Sequence, residues 1–323
     1  MGRRLGDQAS RPFENFGSFL RTFVFSILSV GPIPAHIAFI MDGNRRYAKK
    51  CNLSEGAGHR FGYLALMHML KYCYELGVKY VTIYAFSIDN FKRRPEEVES
   101  TMQLMEEKIE ELIKEESLVN LYGVRIHFLG NLNLLSESVR FAAERAMAAT
   151  AGNSDAVLSI CVAYTSTDEI LHAVQECCQE KQDEIIKLKS SGYSLISTGE
   201  DEMDKGQNTI NVLDIEKHMY AAVAPDPDII IRTSGETRLS NFLLWQSSDS
   251  LLYSPSVLWP EIGFRHLVWA VLDFQRNFTH MKNKTKKSEV SCWKSLSLLI
   301  EHRLFWLVSV LALSLAIIHL AAS

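Results

Sequence analysis

Six runs of strand length, rich in β-branched or apolar residues, recur along this 323-residue chain with helical patterns between them. They lie at 36–42, Tyr80–Phe86, Val124–Gly130, Val157–Tyr164 and Asp228–Thr233, with a weaker run near Leu251–Leu258. Their apolar residues are continuous rather than alternating, which predicts strands covered on both faces. Strands alternating with helices predict an α/β fold, here a single domain with a mostly parallel six-stranded central sheet. In such sheets ligands gather at the carboxyl ends of the strands. The polar signatures fall there: Asp42 after the first run, Ser87 to Arg94 after the second, Arg232 to Ser240 after the fifth.

The first of these transitions is the most informative. A buried strand delivers one carboxylate, Asp42; Gly43 lets the backbone approach a ligand; and Asn44, Arg45, Arg46, Lys49 and Lys50 follow at a helix start. Carboxylate, free amides and guanidinium groups together suit a magnesium-bound polyphosphate. Asp-Gly-Asn alone is equally compatible with an ordinary turn before a solvated basic helix. The second signature is Gly58-His59, the third Phe86 to Arg93, the fourth Ile231 to Gln246. In the fourth, Arg232 ends a strand, and Arg238 and Ser240 follow beyond a glycine turn, which predicts two guanidinium groups and a hydroxyl around one pocket. Singly, Arg232 or Arg238 would read as a structural ion pair, and His59 as a core or surface histidine.

Charge excludes one partner class. The net charge is −4, so there is no global basic excess to displace counterions and no nucleic acid is expected. Basic groups cluster instead around 45–50, 92–94 and 282–287, which suits small anions or a membrane surface. The six cysteines form no CxxC pair, so neither a zinc site nor a disulfide framework is expected, and a cytosol-facing compartment fits best. Gly6 stands where a myristoylation motif needs serine or threonine.

The flanks carry their own patterns. Residues 1–33 hold an amphipathic helix over 13–30, with Phe13, Phe16, Phe19, Phe23 and Ile27 on one stripe, read as lying on a membrane or beside an apolar substrate. Packing on the domain is the other reading. Residues 96–120 read as one long charged helix, and 175–210 as a helix followed by a surface excursion. After the main body at 34–280 comes a basic linker at 281–303, then the nearly uninterrupted apolar run Leu304–Ala322 within 304–323. Nineteen helical residues would span about 28 Å, so this run is read as a C-terminal membrane anchor with the main body on the cytosolic side.

The four signatures together resemble the cis-prenyltransferase, or undecaprenyl diphosphate synthase, family from about Pro34 to Phe278. The Asp42–Lys50 and Arg232–Gln246 segments look most like its eukaryotic dehydrodolichyl diphosphate synthase branch. The resemblance implies a Mg2+-dependent transferase that joins isopentenyl diphosphate to an allylic diphosphate primer of farnesyl type, making long polyprenyl diphosphates at the endoplasmic reticulum. It implies Asp42 as the catalytic, metal-binding carboxylate, with Gly43, Asn44, Arg45, Arg46, His59 and Arg93 around the allylic diphosphate. Ser87 and Asn90 would sit by the condensing carbons, Asn90 orienting proton removal, and Arg232, Arg238 and Ser240 would hold isopentenyl diphosphate. Leu64, Met67, Met102 and Met105 are candidates to line an apolar tunnel.

Three departures stand out. Bacterial homodimeric members carry an acidic residue where this chain has Leu251 and an Arg-x-Gly tail missing after Phe278, and the family commonly shows a basic residue where it has Glu55. Two of these resemble the eukaryotic catalytic subunit, so a heteromer with a Nogo-B-receptor-like partner supplying that tail is expected. A catalytically silent scaffold of the same fold is the alternative, though it would need none of Asp42, Arg232, Arg238 and Ser240.

Overall fold

All six apolar runs become strands: β1 (His36–Ile40), β2 (Tyr80–Ser87), β3 (Val124–Leu129), β4 (Ala156–Tyr164), β5 (Ile229–Arg232) and β6 (Leu251–Tyr253). This computed structural model describes residues 11–190 and 210–283. The helices are α1 (Arg11–Leu28), α2 (Asn44–Lys50), α3 (Glu55–Leu76), α4 (Pro95–Leu112) and α5 (Leu118–Leu121). They continue as α6 (Glu137–Ala149), α7 (Ser166–Ser190), α8 (Val212–Lys217) and α9 (Phe264–Asn283).

The strands form one sheet in the order β3-β4-β2-β1-β5-β6, every neighbouring pair parallel. Both faces are covered, which is why the strands read as continuous apolar runs. From β1, Ile37 and Phe39 enter the larger core with residues of α3, α4, α6 and α9, while Ala38 and Ile40 join Phe242 and Leu243 on the other face. β1 lies between β2 and β5, with Ile40 level with both Tyr84 and Arg232. The chain thus leaves β1 to one side and returns on the other. The crevice beyond the carboxyl ends of β1 and β5 is the place where such sheets bind ligands.

Several boundaries differ from the sequence expectation, each for a local reason. β1 stops at Ile40 because the Asp42 carbonyl turns to accept the Trp259 amide at 2.9 Å. The weak sixth run stops at Tyr253; past it, the carbonyls of Pro255 and Val257 accept the amides of Gly235 and Ser234 instead of extending the ladder. The long helix over 96–120 breaks after Leu112, and Ser117 caps the new turn by accepting the Asn120 amide. α1 is no free-lying helix: Leu28 is fully buried, the Phe25 ring meets Phe264 edge-on at 5.3 Å, and Gln275 donates to the Leu28 carbonyl. Its outer face leaves Phe19 and Phe23 exposed. Residues 191–209 of the surface excursion, most of the basic linker and the Leu304–Ala322 run lie outside the described residues. Among the described residues, no helix is long and apolar enough to cross a membrane.

The first strand carries a titratable anchor. The His36 ring sits 2.6 Å from the Pro225 carbonyl and 2.8 Å from the Thr82 hydroxyl, and burial lowers its pKa to about 4. A buried neutral histidine stabilises the fold above its ordinary pKa near 6.5, and that stability is lost as pH falls toward the folded value. Between pH 7 and 4, His36 should therefore account for about 3 kcal/mol of lost stability. Urea titrations of His36→Gln against the parent are expected to show a flatter pH dependence in the variant; parallel curves would contradict this.

Candidate active site

Asp42 is fixed from both ends. Its carbonyl accepts the Thr233 hydroxyl at 2.6 Å, the Ser234 hydroxyl at 2.9 Å and the Trp259 amide, so loops after β5 and β6 hold its backbone. Its carboxylate accepts from Arg232 at 2.9 Å and from Arg46 at 3.1 Å. Partial burial alone would raise its pKa, but the hydrogen bonds from Arg232 and Arg46 outweigh that and hold it below the usual carboxylate value. Asp42 is therefore an anion at neutral pH.

Gly43 makes the turn possible. Its φ is +112°, and a β-carbon there would lie 2.7 Å from the Ser234 hydroxyl oxygen and 3.1 Å from the Leu258 α-carbon. Gly43→Ala is expected to lower stability by about 1–3 kcal/mol and to depress turnover with it. Thermal melting checks the first and steady-state assay the second. Gly58 serves a second close approach, since its β-carbon would lie 2.2 Å from the Asn44 carbonyl oxygen, where α3 crosses the start of α2.

Arg232 is the buried cation of the site, its side chain only 8% exposed. One amino group donates to the Arg238 carbonyl at 2.5 Å and the Ser240 hydroxyl at 2.6 Å, the other to Asp42. Its Nε is buried without a partner, a donor left for a ligand. Of the two guanidinium groups expected around one pocket, the structure places Arg232 at the cavity and Arg238 beside it. The Arg238 guanidinium is exposed and paired with Glu236, a neighbour two residues away, and only its carbonyl reaches Arg232.

Ser87 and Asn90 close the end of β2 through a reciprocal cap. Ser87 Oγ accepts the Asp89 amide at 3.2 Å, and Asn90 Oδ1 accepts the Ser87 amide at 3.1 Å. With its oxygen so engaged, Asn90 offers the cavity a donor nitrogen rather than a base. Just before α4, Arg93 donates to Glu97 at 3.0 Å, and Arg45 of α2 lies 3.5 Å from the same carboxylate oxygen. His59 packs beside them. Burial first, then the Arg93 charge, lowers its pKa, so it is neutral at pH 7.

These groups surround one cavity of about 510 Å³. Asp42, Asn44, His59, Arg93, Arg232 and Ser240 line it together with Ser87 and Asn90. Arg45, Arg46 and Arg238 are not among its lining residues; they stand at the exposed surface beside it. The remaining wall is largely apolar: Ile83, Ile160 and Phe128, level with one another across β2, β4 and β3, with Leu104 and Ile109 from α4. Of the four tunnel candidates only Met105 lines it, since Leu64 is exposed, Met102 is core and Met67 packs at the core's margin.

Three contributors were not legible beforehand. Trp259 ties Asp42 to α3, its indole donating to the Gly62 carbonyl at 2.8 Å. Glu97 gathers Arg45 and Arg93, and Tyr84 walls the cavity while stacking on Phe242 at 4.7 Å. Pro260 fixes the backbone after Trp259, but nothing in the sequence links that turn to Asp42.

A metal ion would find two carboxylates on the cavity wall: Asp42, and the exposed Asp89, which is paired with Lys92. Among the described residues no three His, Cys, Asp or Glu side chains cluster as a cage. The cavity offers Asp42, already ionised, beside donors for phosphate oxygens. That donor set fits magnesium, which is commonly held by one or two carboxylates plus substrate phosphates and water.

Comparison with known proteins gives one answer. A family model described as "Putative undecaprenyl diphosphate synthase" matches residues 40–281. The dehydrodolichyl diphosphate synthase CPT3 of Solanum lycopersicum is 67% identical over 88% of this chain and 98% of its own length. The Homo sapiens dehydrodolichyl diphosphate synthase complex subunit is 41% identical over 80% of this chain and 72% of its own. Lavandulyl diphosphate synthase from Lavandula x intermedia, solved with dimethylallyl diphosphate, superposes with a TM-score of 0.64 at 26% identity, covering 75% of this chain and 95% of that one. A mouth of guanidinium and amide donors around one carboxylate opens on an apolar cavity at the switch point of a parallel sheet, and the sequence matches say whose fold it is: the chain belongs to the undecaprenyl diphosphate synthase family of cis-prenyltransferases.

Proposed function

We infer that the chain is a catalytic cis-prenyltransferase that condenses isopentenyl diphosphate onto an allylic diphosphate, giving polyprenyl diphosphates of the dolichol type. The observation that carries this reading is the buried Arg232, bonded to Asp42 with Nε unpaired, at a cavity whose remaining wall is largely apolar. Anionic head and hydrocarbon tail each meet matching surface there.

The roles follow from chemistry. When the allylic carbon–oxygen bond breaks, its electron pair leaves with the diphosphate, and donors poised around that oxygen lower the barrier. Asp42 would hold Mg2+, which when bound neutralises charge on the departing diphosphate. Gly43, Asn44, Arg45 and Arg46 at the start of α2, with Arg93 and His59, would receive the allylic diphosphate. Glu97 would yield Arg45 and Arg93 to it. Arg232 and Ser240 would hold isopentenyl diphosphate, and Arg238 would join them by leaving Glu236. Ser87 and Asn90 would sit by the condensing carbons, the Asn90 amide nitrogen donating to a diphosphate oxygen so that the isopentenyl group is held with its departing proton directed to the released diphosphate.

The chain is further proposed to work with a partner subunit that ends in an Arg-x-Gly tail, at the endoplasmic reticulum membrane with the catalytic domain facing the cytosol. Leu251 at the usual acidic position and the relative named as a complex subunit support the first point. The exposed Phe19 and Phe23 of α1 and the apolar run at 304–322 support the second. Purified protein supplied with labelled isopentenyl diphosphate and farnesyl diphosphate, with and without a tail-bearing partner, tests the reading. Elongation with the partner is the expected result. Failure in both conditions would favour a silent scaffold.

A further inference from the structure

The loop from Leu239 to Gln246 holds backbone conformations its residues rarely adopt. Ser240, Asn241 and Leu243 have φ of 52°, 60° and 46°. Such conformations persist only where the surroundings over-determine them. The determinant here is the start of α7. The Ser166 amide donates to the Asn241 carbonyl at 2.8 Å, and the Thr167 amide and hydroxyl both donate to Asn241 Oδ1, each at 3.1 Å. The Leu244 amide returns a bond to the Ser166 hydroxyl at 2.9 Å. Further along, Gln246 donates to the fully buried Glu169 at 3.3 Å, which also accepts the Tyr164 hydroxyl at 2.5 Å and the Ala221 amide at 2.8 Å.

The Arg238 carbonyl just before this loop and the Ser240 hydroxyl within it bracket Arg232. We infer that Asn241 is a positioning residue for the isopentenyl diphosphate half of the site. Anchored on the first turn of α7, its side chain fixes the left-handed loop, so that Ser240 meets the Arg232 guanidinium in one geometry. Asparagine suits the position twice over: it tolerates a left-handed backbone, and its carbonyl takes both Thr167 donors. The inference rests on Arg232 and Ser240 being the clamp for that diphosphate. It adds a residue that never touches the ligand.

Asn241→Gly separates the tether from the strain, because glycine accepts the same φ but lacks the acceptor. The full chain, assayed with its partner subunit, is expected to show an isopentenyl diphosphate KM raised about tenfold, the size of one or two lost hydrogen bonds. The primer KM should stay within about twofold, since the groups around Asp42 keep their own supports. Thr167→Val, which removes one of the two donors, should raise the same KM by less and add nothing on top of Asn241→Gly.

An unchanged isopentenyl diphosphate KM, or equal rises for both substrates, would overturn the inference by leaving Asn241 a merely structural role. If Asn241→Gly does not fold, Thr167→Val decides the matter by the same criterion. Arg232→Ala is the control. If it too leaves that KM unchanged, the clamp assignment itself is wrong; if it raises KM while Asn241→Gly does not, only the positioning role fails.

Discussion

Asp42→Ala is expected to cut the rate of chain elongation by roughly 10³-fold while isopentenyl diphosphate still binds. Two carboxylates, Asp42 and Asp89, line the cavity. Asp89 is largely exposed and paired with Lys92, which leaves Asp42 as the acid held among buried donors. Removing it takes away the carboxylate proposed to hold the metal and also strands Arg232. A buried guanidinium without its partner costs about 3–5 kcal/mol, so the ligand-free variant should melt lower. Inorganic pyrophosphate, by restoring an anion beside Arg232, should raise the melting temperature of the variant more than that of the parent. Asp42→Asn keeps the shape and drops the charge; turnover within tenfold of the parent would refute the assigned role. The sign of the pH effect is fixed as well. Because Asp42 titrates below its ordinary value near 3.8, the stability from its ion pairs is complete above that value and fades as pH falls through the lowered one.

Arg232→Ala carries the second large effect, a rise of roughly 100-fold in the isopentenyl diphosphate KM. The guanidinium spans Asp42, the Arg238 carbonyl and Ser240, and still has Nε to offer. Lysine brings one compact ammonium where a planar fork is needed, so Arg232→Lys should recover little. Initial rates at saturating primer, with isopentenyl diphosphate varied, measure the change. A KM within threefold of the parent would mean that the diphosphate is held elsewhere.

The strands were readable because burial on both faces leaves no polar alternation, and Ile37 to Ile40 show why: successive side chains enter opposite cores. Positions at the strand ends were readable too: Asp42 follows β1, and Ser87 and Arg232 close β2 and β5. What sequence could not supply was direction. Arg232 and Arg238 look equivalent in the chain, yet one ends a buried strand and the other lies on a loop that turns its head to Glu236. Glu97 was hidden among the many acids of α4, and its meaning depends on α2 and α3 approaching it. Trp259 reaches Asp42 only through the fold, from more than two hundred residues away.

Glu97 already occupies the position of a guest. With Arg45 and Arg93 both on its carboxylate, the mouth is less cationic than its arginines alone would make it, though still net positive. An incoming anion must therefore outcompete a resident one. A singly esterified monophosphate or free phosphate, with fewer oxygens, gains less from that exchange than a diphosphate does. On the proposed roles, selectivity for the longer headgroup, and the ease with which a spent one departs, would then arise from the same displaced carboxylate.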